Sequence, residues 1–130
     1  MIIGIGCDIT NIERITKSAD FLERFKNKIL GTEELSELNN IGPITYKELA
    51  CSLAKYYAGK EAFSKALGTG FRNGIYLKDI QIIHNNLGKP ELKIAGESLN
   101  ILQKMSPKYS LHITLSDDYP YAQAVVIIEK

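Results

Sequence analysis

The sequence predicts a single α+β domain over residues 1–130, with helices leading and a largely antiparallel sheet after them. Three observations carry this. Residues 49–67 form one long helical pattern that is apolar or small almost all the way round. Apolar and polar residues alternate cleanly from Ser110 to Ser116, as in a half-buried strand. A length of 130 residues without a linker, repeat or low-complexity segment suits one domain.

Ile2 to Asp8 reads as a short buried strand punctuated by Gly4 and Gly6 and ending on a carboxylate. Thr10 and Glu13 form a capping-box pattern that predicts a helix through Ile15. Phe21, Leu22, Phe25 and Ile29 share helical spacing and predict a helix from Asp20 to Leu30. Thr32 is placed to cap a short helix from Glu33 to Asn39, and Asn40 to Pro43 is a loop. Thr45 and Glu48 form another capping box, which opens the long helix; Gly68 stops it. Within it, Leu49, Leu53, Tyr56, Phe63 and Leu67 line one stripe, while Ala50, Ala54, Ala58 and Ala62 line the other side.

Asp79 to His84 and Glu91 to Ile94 read as a hairpin joined by Asn85 to Pro90. Ser98 to Met105 is helical in pattern. The strand from Ser110 to Ser116 pairs with Tyr121 to Glu129 through a turn at Asp117 to Pro120. In that last strand Ala124, Val125, Val126, Ile127 and Ile128 stand in succession, so both of its faces are expected to be covered.

Composition narrows the function classes. A net charge of +1 argues against general nucleic-acid binding. No apolar run reaches a membrane span, and the start lacks the basic flank of a signal peptide. Cys7 and Cys51 are too few for a metal cluster and suit reduced thiols in a cytoplasmic setting.

Chemistry is suggested by charges in unexpected places. Glu61 and Lys65 project one turn apart from the alanine side of a helix expected to be buried. They fit either an exposed i,i+4 ion pair or a buried functional pair that needs a partner or a metal. Gly68-Thr69-Gly70 comes next, a sequence able to bring backbone amides close to a ligand. Asp8, where a strand gives way to a helix, suits a turn residue or a metal ligand. His112, Thr114 and Ser116 share one polar strand face, which fits solvent exposure as well as a site.

The run Gly4-Ile-Gly-Cys-Asp-Ile-Thr-Asn-Ile-Glu-Arg-Ile15 resembles the opening of the holo-acyl-carrier-protein synthases, the short 4′-phosphopantetheinyl transferases. Lys60-Glu-Ala-Phe-Ser-Lys-Ala-Leu-Gly-Thr-Gly70 is similar to their second signature. Lys78-Asp-Ile80, Gly88-Lys-Pro90, His112-Ile-Thr-Leu-Ser116 and Tyr121-Ala122 extend the resemblance over the whole chain. It implies a 4′-phosphopantetheinyl transferase-like domain with a long central helix. The implied reaction moves phosphopantetheine from coenzyme A to a serine of an acyl carrier protein, releasing adenosine 3′,5′-bisphosphate, in support of fatty acid biosynthesis.

By the same resemblance, Asp8 and Glu61 are the ligands of a magnesium ion (Mg2+), a hard cation suited to a few carboxylates plus waters and phosphates. Lys65 is the lysine on the phosphates. Glu61, or a metal-bound water beside it, takes the serine proton. Gly68, Thr69, Gly70 and His112 fall at coenzyme A-binding positions. Arg14 and Arg24 fall where the family docks its acidic carrier, in a segment with a local surplus of basic residues, and Phe25 beside Arg24 offers an apolar anchor. A homotrimer with sites between subunits is expected.

Two departures stand out. Tyr56 replaces a frequent arginine, with Lys55 beside it but about 100° away on a helix. Asp117 stands where a second histidine is common, and Thr114 where a serine is. They leave two rivals open: a carrier-binding protein weakened in catalysis, and an unrelated magnesium-dependent phosphohydrolase.

Overall fold

The computed structural model describes residues 1–72 and 74–130. Strand β1 spans Ile2–Asn11 and leads into a 3₁₀ turn, Ile12–Ile15. Helices α1 (Ala19–Ile29), α2 (Thr32–Asn40) and α3 (Tyr46–Leu67) come next. A short 3₁₀ turn, Leu77–Asp79, leads into β2 (Ile80–His84) and β3 (Pro90–Ile94). Helix α4 (Gly96–Met105) then precedes β4 (Ser110–Asp118) and β5 (Tyr121–Glu129). The fold is α+β, as the sequence predicts. One antiparallel sheet has the order β1-β5-β4; β2 and β3 form a separate hairpin.

Helix α3 packs across the inner face of the three-stranded sheet. Its start is the predicted capping box: Glu48 N donates to Thr45 Oγ1 at 3.1 Å, and Thr45 N donates to Glu48 Oε1 at 3.4 Å. Its end is Gly68 in the left-handed region, φ 83°. The alanine side of α3 meets β1 at the two strand glycines. A Cβ on Gly6 would sit 1.9 Å from the Ala62 carbonyl oxygen, and one on Gly4 would sit 2.3 Å from that of Ala66. Only glycine lets strand and helix approach this closely. Gly4, Gly6 and Asp8 share a strand face, so the same approach delivers Asp8 to the flank of the helix.

Two local expectations change. β1 continues past Asp8 to Asn11, because Thr10 pairs with Ala122 and Asn11 with Tyr121 of β5. Thr10 therefore caps nothing: its hydroxyl donates to Asp8 Oδ2 at 3.5 Å. Asn11 is the cap, accepting from Glu13 N at 3.0 Å, and it opens a single 3₁₀ turn. Around α2 the cap is displaced as well, since Thr32 lies inside the helix and Gly31 precedes it.

Within the chain β5 is covered on one face. Ala122, Ala124, Val126 and Ile128 are buried against α3, while Val125 and Ile127 are only half-buried. Beside them on β1, Ile5 is 65% and Ile9 64% exposed. The outer face of the sheet is thus an apolar strip that this chain leaves open.

The charge buried in α3 is Lys60. Its side chain and that of Glu34 on α2 are both 0% exposed, and Nζ donates to Glu34 Oε1 at 2.7 Å. Lys60 Nζ also donates to the Leu77 carbonyl at 2.9 Å and the Ile80 carbonyl at 2.6 Å. Glu34 accepts from Gly31 N and Ile82 N, both at 2.9 Å. Burial pushes the Glu34 carboxyl up and the Lys60 ammonium down, while the pairing and the surrounding bonds oppose both shifts. This pair ties α2, α3 and the start of β2 together.

Candidate active site

Strand β1 and helix α3 converge on three of the predicted residues. Lys65 Nζ lies 2.9 Å from Asp8 Oδ1 and 3.0 Å from the Cys7 carbonyl oxygen. Glu61, one turn earlier, is close enough to Asp8 and Lys65 for both charges to act on its carboxyl. Burial raises the Glu61 carboxyl first, and the Asp8 charge raises it further; the neighbouring Tyr57 phenol and the Lys65 charge pull it back. Lys65 is raised, chiefly by its hydrogen bond to Asp8. The Tyr57 phenol is pushed up to about 12 by burial and by Glu61. So Glu61 and Lys65 do not lie in the core: Glu61 is half-buried and the Lys65 side chain is 51% exposed. Two like charges close together with one ammonium form a site that favours a further cation.

That arrangement fits a hard divalent ion. Asp8 and Glu61 offer oxygen donors alone, and among the described residues no group of three or more His, Cys, Asp or Glu side chains is placed to hold a metal. Magnesium needs only one or two carboxylates when substrate phosphates and waters complete its shell.

Next to these residues along α3, a cleft of about 560 Å³ opens between α2, α3 and the β2–β3 turn. Glu37, Lys55, Tyr56, His84, Gly88 and Pro90 are among its walls. Lys55, the neighbour of Tyr56, reaches the other departure: its Nζ is 3.1 Å from Asp117 Oδ1. Tyr56 is buried, its ring edge-on to His84 at 6.2 Å. His84 Nδ1 in turn lies 3.2 Å from Glu37 Oε2. Lys55, although one position from Tyr56, reaches the same cleft.

Other predicted residues lie apart or act differently. The amides of Gly68, Thr69 and Gly70 all turn back to the helix: Gly68 N donates to the Lys65 carbonyl, and the other two to that of Ser64. They cap α3 and do not point outward as free donors. His112 lies on the outer face of β4, opposite Ile127, with Nε2 3.0 Å from Glu129 Oε1. Asp8 and Lys65 are on the inner face, so one chain does not bring His112 to them. Arg14 and Arg24 are exposed; Arg24 Nε pairs with Asp20 Oδ2 at 3.0 Å. Phe25 is half-buried, its ring centroid 5.4 Å from that of Tyr57.

Residues 4–124 match the 4′-phosphopantetheinyl transferase superfamily. The chain belongs to that superfamily. A holo-[acyl-carrier-protein] synthase of Erythrobacter litoralis is 46% identical over 133 residues, covering 99% of this chain and 97% of the relative. The crystal structure of the holo-[acyl-carrier-protein] synthase from Neisseria meningitidis superposes with a TM-score of 0.82 at 37% identity, covering 100% of both chains. The Bacillus anthracis holo-(acyl-carrier-protein) synthase, solved in complex with CoA (3′,5′-ADP), gives a TM-score of 0.79 at 30% identity, covering 100% of this chain and 98% of that one.

As a phosphopantetheinyl transferase of the holo-acyl-carrier-protein synthase kind, the chain is an enzyme. Two of its features escape a reading of the sequence: the partnership of Lys60 with Glu34, and the contact of the Tyr57 ring with Phe25 of α1. A signal for the first existed: Lys60 shares its helical face with Leu53, Tyr56, Phe63 and Leu67. Its partner, 26 residues away, left no local mark. Among the described residues no helix is long and apolar enough to cross a membrane.

Proposed function

We propose that this transferase moves 4′-phosphopantetheine from coenzyme A to a serine of apo acyl carrier protein, with Asp8 and Glu61 holding a magnesium ion. The observation that carries it is the convergence of Asp8, Glu61 and Lys65 from β1 and α3, in a chain of this superfamily. Bound there, magnesium would neutralise charge on the pyrophosphate.

The residues divide the remaining work. Glu61, or a water held beside it, accepts the proton of the carrier serine. The serine oxygen forms a bond to the pantetheine-side phosphorus as the bond from that phosphorus to the bridging oxygen breaks. Adenosine 3′,5′-bisphosphate leaves with the electron pair. Lys65, on an exposed arm, turns from Asp8 to the departing phosphate and offsets its charge. Gly68, Thr69 and Gly70 provide a side-chain-poor edge past which the coenzyme runs.

The carrier docks on the face bearing Arg14, Arg24 and Phe25, whose charge suits an acidic partner. The enzyme works as a homotrimer, because the open apolar strip of the sheet needs a cover and His112 lies on that side. Its proposed setting is cytoplasmic fatty acid biosynthesis. Incubation with coenzyme A, magnesium and an apo carrier tests the core of this reading. A gain of about 340 Da on the carrier, seen by mass spectrometry, supports transfer. Coenzyme consumption with an unmodified carrier indicates a hydrolase; binding alone indicates a carrier-binding protein.

A further inference from the structure

Coenzyme A offers an enzyme more than its pyrophosphate: its adenosine half is a flat base on a ribose that carries a 3′-phosphate. Binding that half calls for apolar, flat walls for the base and a cation for the phosphate. The cleft of about 560 Å³ between α2, α3 and the β2–β3 turn has both. Ile41, Tyr56, Pro90 and Leu115 supply the walls. Among the described residues, Lys55 is the one lysine or arginine that lines this cleft. The Glu37 carboxylate, also on its walls, is already engaged: Oε1 accepts from His84 N at 2.8 Å, and Oε2 lies 3.2 Å from His84 Nδ1. Lys55 has a partner too, since Nζ is 3.1 Å from Asp117 Oδ1, but the two side chains are 32% and 35% exposed. An ion pair that open to water is weak, so a phosphate dianion competes well against it.

We infer that Lys55 is a specificity-determining residue: it binds the 3′-phosphate of coenzyme A, and Asp117 is its counter-ion when no phosphate is bound. The inference rests on the phosphopantetheinyl-transfer reading and assigns the cleft to the adenosine half of that substrate. A lysine ammonium is a point charge on a flexible stem with three donors, so it turns from carboxylate to phosphate without moving the helix. Tyr56, next in the chain, supplies no charge: it is buried, and its phenol is pushed up to about 12, by burial first and then by Glu34 and Glu37. Asp117 competes with the phosphate for one ammonium. Removing its charge therefore tightens binding of a 3′-phosphorylated ligand and leaves its unphosphorylated counterpart unaffected.

Two ligands that differ by that phosphate test the inference. Isothermal titration calorimetry, with magnesium present, compares adenosine 3′,5′-bisphosphate with adenosine 5′-monophosphate. The wild-type protein should bind the bisphosphate about tenfold more tightly, the worth of one hydrogen bond to a charged group. Lys55→Met should lose that tenfold for the bisphosphate alone, and Lys55→Arg should keep much of the preference. Asp117→Asn should gain about threefold for the bisphosphate alone, because Lys55 is released from a weak pair. Equal losses for both ligands in Lys55→Met, or a loss for neither, overturn the inference, as does a wild type without preference. If Lys55→Met does not fold, Asp117→Asn decides: a bisphosphate affinity at or below the wild-type value overturns the inference, since Asp117 is then a strut and not a competitor. Transfer assays with coenzyme A and 3′-dephospho-coenzyme A test the functional reading apart from this one. Transfer with the same preference between them in wild type and Lys55→Met refutes the role of Lys55 and leaves the transferase reading standing. A bisphosphate preference that depends on Lys55, in a wild type that transfers nothing, refutes the transferase reading and supports the role of Lys55.

Discussion

Lys65 Nζ stands 2.9 Å from Asp8 Oδ1, although 57 positions separate the two residues. The ammonium takes the place beside Asp8 that a metal ion would claim. The pair keeps a carboxylate next to Glu61 from standing uncompensated. The Lys65 pKa is raised by this bond, so the pairing is fully present at neutral pH. Its contribution fades only as pH rises through the raised lysine value, above the ordinary 10.5.

Glu61→Gln removes the charge and keeps the shape. It should preserve the fold and cost turnover more than the roughly 10–100-fold that loss of a supporting residue costs. Magnesium titration of the transfer assay checks it, and near-normal kcat at saturating magnesium would remove Glu61 from the proposed role. Wild-type activity should vanish with excess chelator and return when magnesium is restored.

Lys60→Met leaves Glu34 buried without its counter-ion. The expected loss of stability is about 3–5 kcal/mol, the usual cost of breaking a buried pair by removing one partner. Adding Glu34→Leu should recover much of it, because both charges are then gone. Chemical denaturation of the two variants gives the comparison; equal stability of single and double variants would contradict the buried ion pair.

That pair also shows where sequence reading reached its limit. The capping box at Thr45 and Glu48, the stop at Gly68 and the β4 alternation are local features, and the structure contains them as expected. The closeness of Asp8 to Lys65 is not local, and only the resemblance of their two motifs to one family hints at it. Burial within α3 is not local. Glu61, Lys65 and Lys60 all sit on one apolar helix, and only the packing of α2 and β2 decides that Lys60 is the buried one. Periodicity likewise could not show that Thr10 would join β5 instead of capping a helix, because pairing across the sheet overrides a capping pattern. The contact of Phe25 with Tyr57 needs two helices packed together and leaves no trace in spacing.

Charge reversal on the docking face is the next test. Arg14→Glu and Arg24→Glu should each raise the carrier KM on the order of tenfold and leave that for coenzyme A unchanged, since they oppose an acidic partner. Arg24 already shares its charge with Asp20, so Arg14→Glu should have the larger effect. Added salt should narrow the gap between wild type and variants. Equal changes in both Michaelis constants would place the docking surface elsewhere.

Assembly gives the last expectation. Ile5 and Ile9 are exposed beside half-buried Val125 and Ile127, so the outer sheet face carries a strip that water covers poorly. His112 is on that face and Asp8 on the other, so no single chain brings the two side chains together. A neighbouring subunit seated on the strip would bury it and could carry its own His112 to a foreign Asp8 and Lys65. Asp8→Ala and His112→Ala proteins should each be poorly active alone. After subunit exchange their mixture should regain activity, because some sites then combine an intact Asp8 with an intact His112. Sedimentation should show trimers at micromolar concentration. Ile5→Lys, with a charge in the middle of the strip, should shift the protein toward monomers and lower activity with it. A fully active monomer would mean that the strip serves no assembly and that each chain holds a complete site.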